Sequence, residues 1–189
     1  MIKVFYCEYT GEQYFTKMWW CDTCNNVGKR IIVGRGPEAD FDKIPWENES
    51  PVPCEKCSGS ASFSCRGGIK IYRRTDTGEE VTELRKLPGA CYEEVDGAWD
   101  SRHKCKRFGP DGKALTVILP NGIPWCIDSR AKNCTRPDDL VHRCWVRSGN
   151  VLEGTLHVDK NGDTCQAGAG SIVAGDFHGF LINGFITEC

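Results

Sequence analysis

Two Cys-x-x-Cys pairs, Cys21/Cys24 and Cys54/Cys57, are the residues of this chain whose type and spacing point most directly to chemistry. Each pair offers two sulfurs from one tight turn, and two such turns can face each other across a single tetrahedral zinc ion. A site filled by four protein ligands keeps no open position for a substrate, so the chemistry expected is structural. Two other uses stand beside it. The cysteines can be buried as small apolar residues, or a pair can be redox-active, which favours a strand-to-helix junction that neither pair offers here.

A second group is less regular: Cys126, Cys134, His142, Cys144 and Cys165. Within Val141–Arg147, strand alternation would put His142 and Cys144 on one face. Four of the five could then assemble a second tetrahedral zinc site. The alternatives are a cysteine-rich core with His142 bonded to a backbone carbonyl, or a catalytic zinc with three ligands and a water. Zinc is therefore the expected cofactor, with one ion expected at the first group, while the second group could supply a site for another.

Other fragments carry weaker chemistry. Arg102, Lys104, Lys106 and Arg107 make one basic stretch with Trp99 and Phe108 nearby, a pattern that can hold phosphates and stack a base or simply form a solvated turn. Asp159–Asp163 resembles a calcium loop, but Thr164 and Gly170 stand where glycine and an acidic residue are needed, so a hairpin turn is expected. Asp176-Phe177-His178-Gly179 is the most enzyme-like fragment, with a turn histidine as its simpler reading. Asp138 and Asp139 are adjacent, would point apart on a strand, and are better suited to capping a turn.

The elements that must position these residues read as all-β or nearly so. Gly109–Gly112, Asn121-Gly122, Asn161-Gly162 and Asn183-Gly184 separate short apolar runs, the pattern of hairpins. The strands expected are 2–9, 14–20, 29–33, 68–74, 81–87, 113–119, 123–128, 141–147, 152–158 and 179–182. No amphipathic helix of ten residues is expected. Three segments follow: a zinc-ribbon-like four-cysteine module at 1–66, a hairpin and linker at 67–104, and a hairpin-rich β unit at 105–189 that carries the second candidate metal site.

Composition narrows the function classes. The chain has 189 residues, 40% hydrophobic and 26% charged, enough to bury a core. A net charge of −2 gives no global attraction to nucleic acid or anionic lipid. No apolar run approaches a membrane span, and the first residues lack a secretory pattern. Thirteen cysteines, an odd number, in a reducing compartment favour metal over disulfides. The expected location is the cytoplasm.

Two resemblances add to this. Cys54–Gly59 is locally similar to the cysteine-rich repeats of J-domain co-chaperones, though the rest of that domain is missing. Residues 108–184 resemble small uncharacterised cysteine-rich proteins of tailed phages and prophages, through Asn133–Asp139, His142–Arg147 and Cys165–Ile172. That resemblance implies a phage setting and brings no catalytic residues with it. The function expected is a non-enzymatic, zinc-stabilised binding or assembly protein of phage type. It would act as a virion or assembly accessory or as a modulator of a host protein, with another protein as partner and no membrane. A nucleic-acid-binding zinc protein and a zinc hydrolase or Cys/His enzyme are the alternatives.

Overall fold

In the computed structural model the chain folds as two units, residues 9–72 and residues 1–8 with 73–189. The structure describes residues 1–21, 23–24, 30–44, 52–54, 56–94, 97–100, 105–131, 133–136, 138–139, 142–159 and 170–189, with the backbone alone at 52, 60–65, 98–100, 105 and 106. The strands in the first half are β1 (Ile2–Lys3), β2 (Phe5–Cys21), β3 (Ile31–Pro37), β4 (Val52–Pro53), β5 (Ser60–Arg74), β6 (Glu80–Val81) and β7 (Ala90–Glu93). Those in the second half are β8 (Ala98–Asp100), β9 (Cys105–Arg107), β10 (Leu115–Ile118), β11 (Pro124–Cys126), β12 (Val146–Ser148), β13 (His157–Asp159), β14 (Ile172–Ala174), β15 (Phe177–Ile182) and β16 (Phe185–Glu188). Helical residues among those described are confined to two 3₁₀ stretches, Glu38–Lys43 and Leu84–Lys86. The molecule is therefore mostly β, and no helix among the described residues is long and apolar enough to cross a membrane.

In unit 9–72, β2 lies between β3 and β5, and β4 pairs with β5 beyond. The sequence suggests a break at Thr10-Gly11, yet β2 runs on through it. Gly11 takes a left-handed φ of 81°, and Thr10 Oγ1 bridges the kink, donating to the Ile71 carbonyl and accepting from the Glu12 amide. A single left-handed glycine bends a strand without ending it. β3 carries Gly34 and Gly36 because the Phe15 ring lies across them. A Cβ at either would approach that ring to 3.4 or 3.3 Å. Phe41 packs at 6.0 Å from the same ring, leaving Phe15 fully buried.

In the other unit, β1, β16, β15 and β14 form one antiparallel sheet in that order. Asn183 and Gly184 both take positive φ between β15 and β16, the two-residue hairpin the sequence announces. β11, β10 and β7 form a second sheet, to which Phe5 and Tyr6 add in parallel beside Ala90 and Cys91. Val4, Val117, Leu119, Trp125, Ile127, Leu156, Ile172, Phe177, Leu181 and Ile186 share one buried core. β12 with β13, and β8 with β9, make two-stranded ribbons.

Several boundaries differ from expectation. β7, inside the expected linker, hydrogen-bonds β10, so residues 73–104 fold with 105–189; residues 67–72 continue β5 in the other unit. The strand expected at 81–87 stops at Val81 and gives way to the 3₁₀ turn. The chain there must reach Gly89, whose φ of 90° and close approach to the Lys3 carbonyl leave no room for a Cβ. The strand expected at 141–147 is confined to Val146–Ser148, because His142 and Cys144 lie in irregular chain held by side-chain bonds. Residues 151–154 form a turn before β13 rather than the start of a strand.

Candidate metal centre

Cys21 closes β2, and Cys24 follows in the next turn; Cys54 follows β4, and Cys57 lies in its turn. The four sulfurs lie within 4.8 Å of one another and could hold a metal ion. Two close approaches run across the pairs, Cys21 to Cys57 at 3.6 Å and Cys24 to Cys54 at 3.7 Å. A disulfide would need about 2.0 Å. A tetrahedral zinc with Zn–S of about 2.3 Å has S···S edges of about 3.8 Å, so the donor set fits that ion.

The second turn is built by its own backbone. The Lys56 amide points at the Cys54 sulfur at 3.4 Å, the Ser58 amide donates to the Cys54 carbonyl, and the Cys54 amide to the Gly59 carbonyl. Ser58 takes a left-handed φ of 58° to allow this. Gly59 then passes so close to the first turn that a Cβ would stand 2.7 Å from Thr23 Oγ1 and 3.2 Å from the Cys57 sulfur. These amides act on the thiols. The Cys24 amide, and after it Thr23, pulls the Cys21 thiol down to about 6 against the opposing effect of burial. The Lys56 and Cys57 amides hold Cys54 below the usual thiol range. Amides aimed at sulfur stabilise the thiolate, the form that binds metal. Trp19 and the sulfurs of Cys21 and Cys54 form a small buried cluster, with Ile31 packed against it.

Of the second group, the structure brings together Cys134, His142 and Cys144, whose ligand atoms also lie within 4.8 Å. Cys126 sits on β11, outside this cluster, and Cys165 lies outside the described residues. His142 and Cys144 meet in irregular chain rather than through the strand alternation expected, and Arg130 ties down the loop that carries Cys134. Arg130 donates to the Arg136 carbonyl at 2.6 Å, to the Asp139 carbonyl, and to the Cys134 sulfur at 3.6 Å. Asp139 caps the turn by accepting from the His142 amide at 3.1 Å. Trp145 anchors the following residues edge-on to Trp125 at 5.3 Å. Arg147 reaches Asp128 at 3.1 Å and also binds Asp111. Side chains of Arg147 and Asp128 are 6% and 4% exposed, a buried ion pair that no sequence pattern announced.

The remaining candidates are dispersed. Arg107 is buried and donates to the His142 carbonyl, so it is not part of a surface patch. Arg102 and Lys104 lie outside the described residues, and Lys106 is described by its backbone alone. His178 is exposed on the outer face of β15 opposite Val173, and the neighbouring Asp176 is bonded by Asn121 at 2.8 Å. Asp159 ends β13, and the rest of the calcium-like loop lies outside the described residues. A cleft of about 240 Å³ is lined by Tyr6, Asp111, Lys113, Arg147 and residues 149–152.

No family profile, curated protein or solved structure matches this chain.

Proposed function

We propose that this chain is a non-enzymatic binding or assembly protein of phage type whose unit 9–72 is a zinc ribbon closed by Cys21, Cys24, Cys54 and Cys57. The observation that carries this reading is the gathering of four sulfurs within 4.8 Å of one another, with two cross-pair approaches of 3.6 and 3.7 Å and an amide aimed at Cys54. A zinc filled by four thiolates has no site for water or substrate, so its work is to hold two turns together. The cleft beside Arg147 is smaller than the roughly 300–1,000 Å³ of clefts that take small ligands. His178, the histidine of the most enzyme-like fragment, faces outward from a sheet.

A protein partner fits the surface better than nucleic acid does. Val173 and Ile182 are 69% and 41% exposed on the outer face of β14 and β15, with Phe180 and Phe185 half-buried along the same face. Arg107, by contrast, is withdrawn from the basic stretch. Such apolar exposure on a sheet suits protein contact, and the phage resemblance makes a virion component or a host protein the partner class.

The test is zinc analysis and hydrogen exchange on the wild type and on Cys21→Ser/Cys54→Ser. The expected result is about one fewer zinc per chain in the variant and loss of amide protection in residues 9–72. Unchanged zinc would remove the ribbon. Turnover of an ester, peptide or phosphodiester substrate would overturn the non-enzymatic reading, and salt-sensitive retention of DNA or RNA would replace the protein partner with nucleic acid.

A further inference from the structure

We infer that Cys134, His142 and Cys144 form a second site for a zinc-class divalent cation, separate from the four-thiolate centre. Three observations converge on it. First, the Cys144 sulfur stands 3.6 Å from His142 Nε2. A tetrahedral zinc with Zn–N of about 2.0–2.1 Å and Zn–S of about 2.3 Å has an S···N edge of about 3.6 Å. Second, His142 is 5% exposed, and its Nε2 faces the Cys144 sulfur from within the interior. Buried polar atoms are nearly always paired, and the ring's close polar neighbour is a thiol, a weak partner for it. An imidazole drawn into the interior toward sulfur is what metal ligation requires.

Third, both sulfurs receive N–H donors. The Ala131 amide points at Cys144 at 3.3 Å, and the Arg130 guanidinium at Cys134 at 3.6 Å. Donors on a ligating sulfur fix its orientation. The surroundings are cationic, since Arg107 and Arg143 both donate to the His142 carbonyl. A divalent ion on two thiolates and an imidazole is locally neutral and adds no net charge to those surroundings. The soft donor set selects zinc, or cobalt as its spectroscopic substitute, over magnesium and calcium. The ion would tie the loop carrying Cys134 to the segment carrying His142 and Cys144.

Cobalt(II) titration with elemental analysis, under reducing conditions on the full chain, tests this. The wild type should saturate at about two ions. Cys134→Ser/Cys144→Ser and Cys21→Ser/Cys54→Ser should each saturate at about one, with sulfur-to-cobalt charge-transfer absorption in the latter about half that of the former. His142→Gln should retain both thiols and weaken the second ion about tenfold or more. Saturation of the wild type at one ion that survives Cys134→Ser/Cys144→Ser overturns the proposal, and it does so however the variants fold. Two ions in both the wild type and Cys134→Ser/Cys144→Ser overturn it equally. A single wild-type ion lost in Cys134→Ser/Cys144→Ser but kept in Cys21→Ser/Cys54→Ser would uphold this site and sink the ribbon instead.

Discussion

At Cys21, Cys24, Cys54 and Cys57 the sulfurs are placed by backbone turns, each pair set by the amides of its own knuckle. At Cys134, His142 and Cys144 the ligands come from irregular chain, and long side chains fix them: Arg130 clips the loop, Trp145 anchors on Trp125 and Arg147 locks to Asp128. Among the described residues, the apolar side chains packed with the first arrangement are Trp19 and Ile31. The second lies beside segments that share a large apolar core. A backbone-built cluster should thus depend on local turn geometry and on its metal, and a side-chain-built cluster on the packing of its unit.

The largest effect expected is at Arg147. Replacing it with alanine leaves Asp128 as an unpaired buried charge, which should cost about 3–5 kcal/mol of the stability of the unit holding residues 73–189. Denaturant unfolding measures the loss. Zinc at the four-thiolate cluster should stay unchanged; a parallel fall would break the comparison by making both clusters depend on one cooperative unit. Gly59→Ala should act in the opposite sense. Its Cβ meets Thr23 and Cys57, so zinc affinity at the first cluster should drop about tenfold. Competition with a chromophoric chelator would show it, with the Arg147 region unaffected.

The smallest effect sharpens the contrast between cysteines inside and outside the clusters. Burial pushes the Cys7 thiol up to about 11, and burial also raises Cys91 beside it on β7. A folded-state value above the unfolded one of about 8.5 gives stability that is complete below about 8.5 and is lost as pH climbs toward 11. Thermal unfolding should therefore show a shallow alkaline limb, with about 0.8 kcal/mol lost per thiol by pH 9. Cys7→Ala/Cys91→Ala should flatten it. An unchanged limb would mean that these thiols take no part.

The first cluster was legible because two Cys-x-x-Cys turns need only short-range geometry to present their sulfurs. The β character was legible for a similar reason: Asn183-Gly184 dictates a hairpin through positive φ at two adjacent residues. The second cluster was only half legible. His142, Cys144, Trp145 and Arg147 stood out as a segment, but strand alternation was the wrong device, since residues 142–145 are not a strand. Arg107 misled because a run of basic residues looks like a surface when nothing local shows one of them turning inward.

The sequence by itself determined a mostly β chain with paired cysteine turns, because period-two alternation, turn glycines and Cys-x-x-Cys spacing all act over a few residues. Only the tertiary structure decided that β7 pairs with β10, that Arg147 and Asp128 share a dry site, and that Cys134 rather than Cys126 joins His142 and Cys144. Each of those joins residues distant along the chain, and their meeting is fixed by burial and by side-chain donors, which no local pattern encodes.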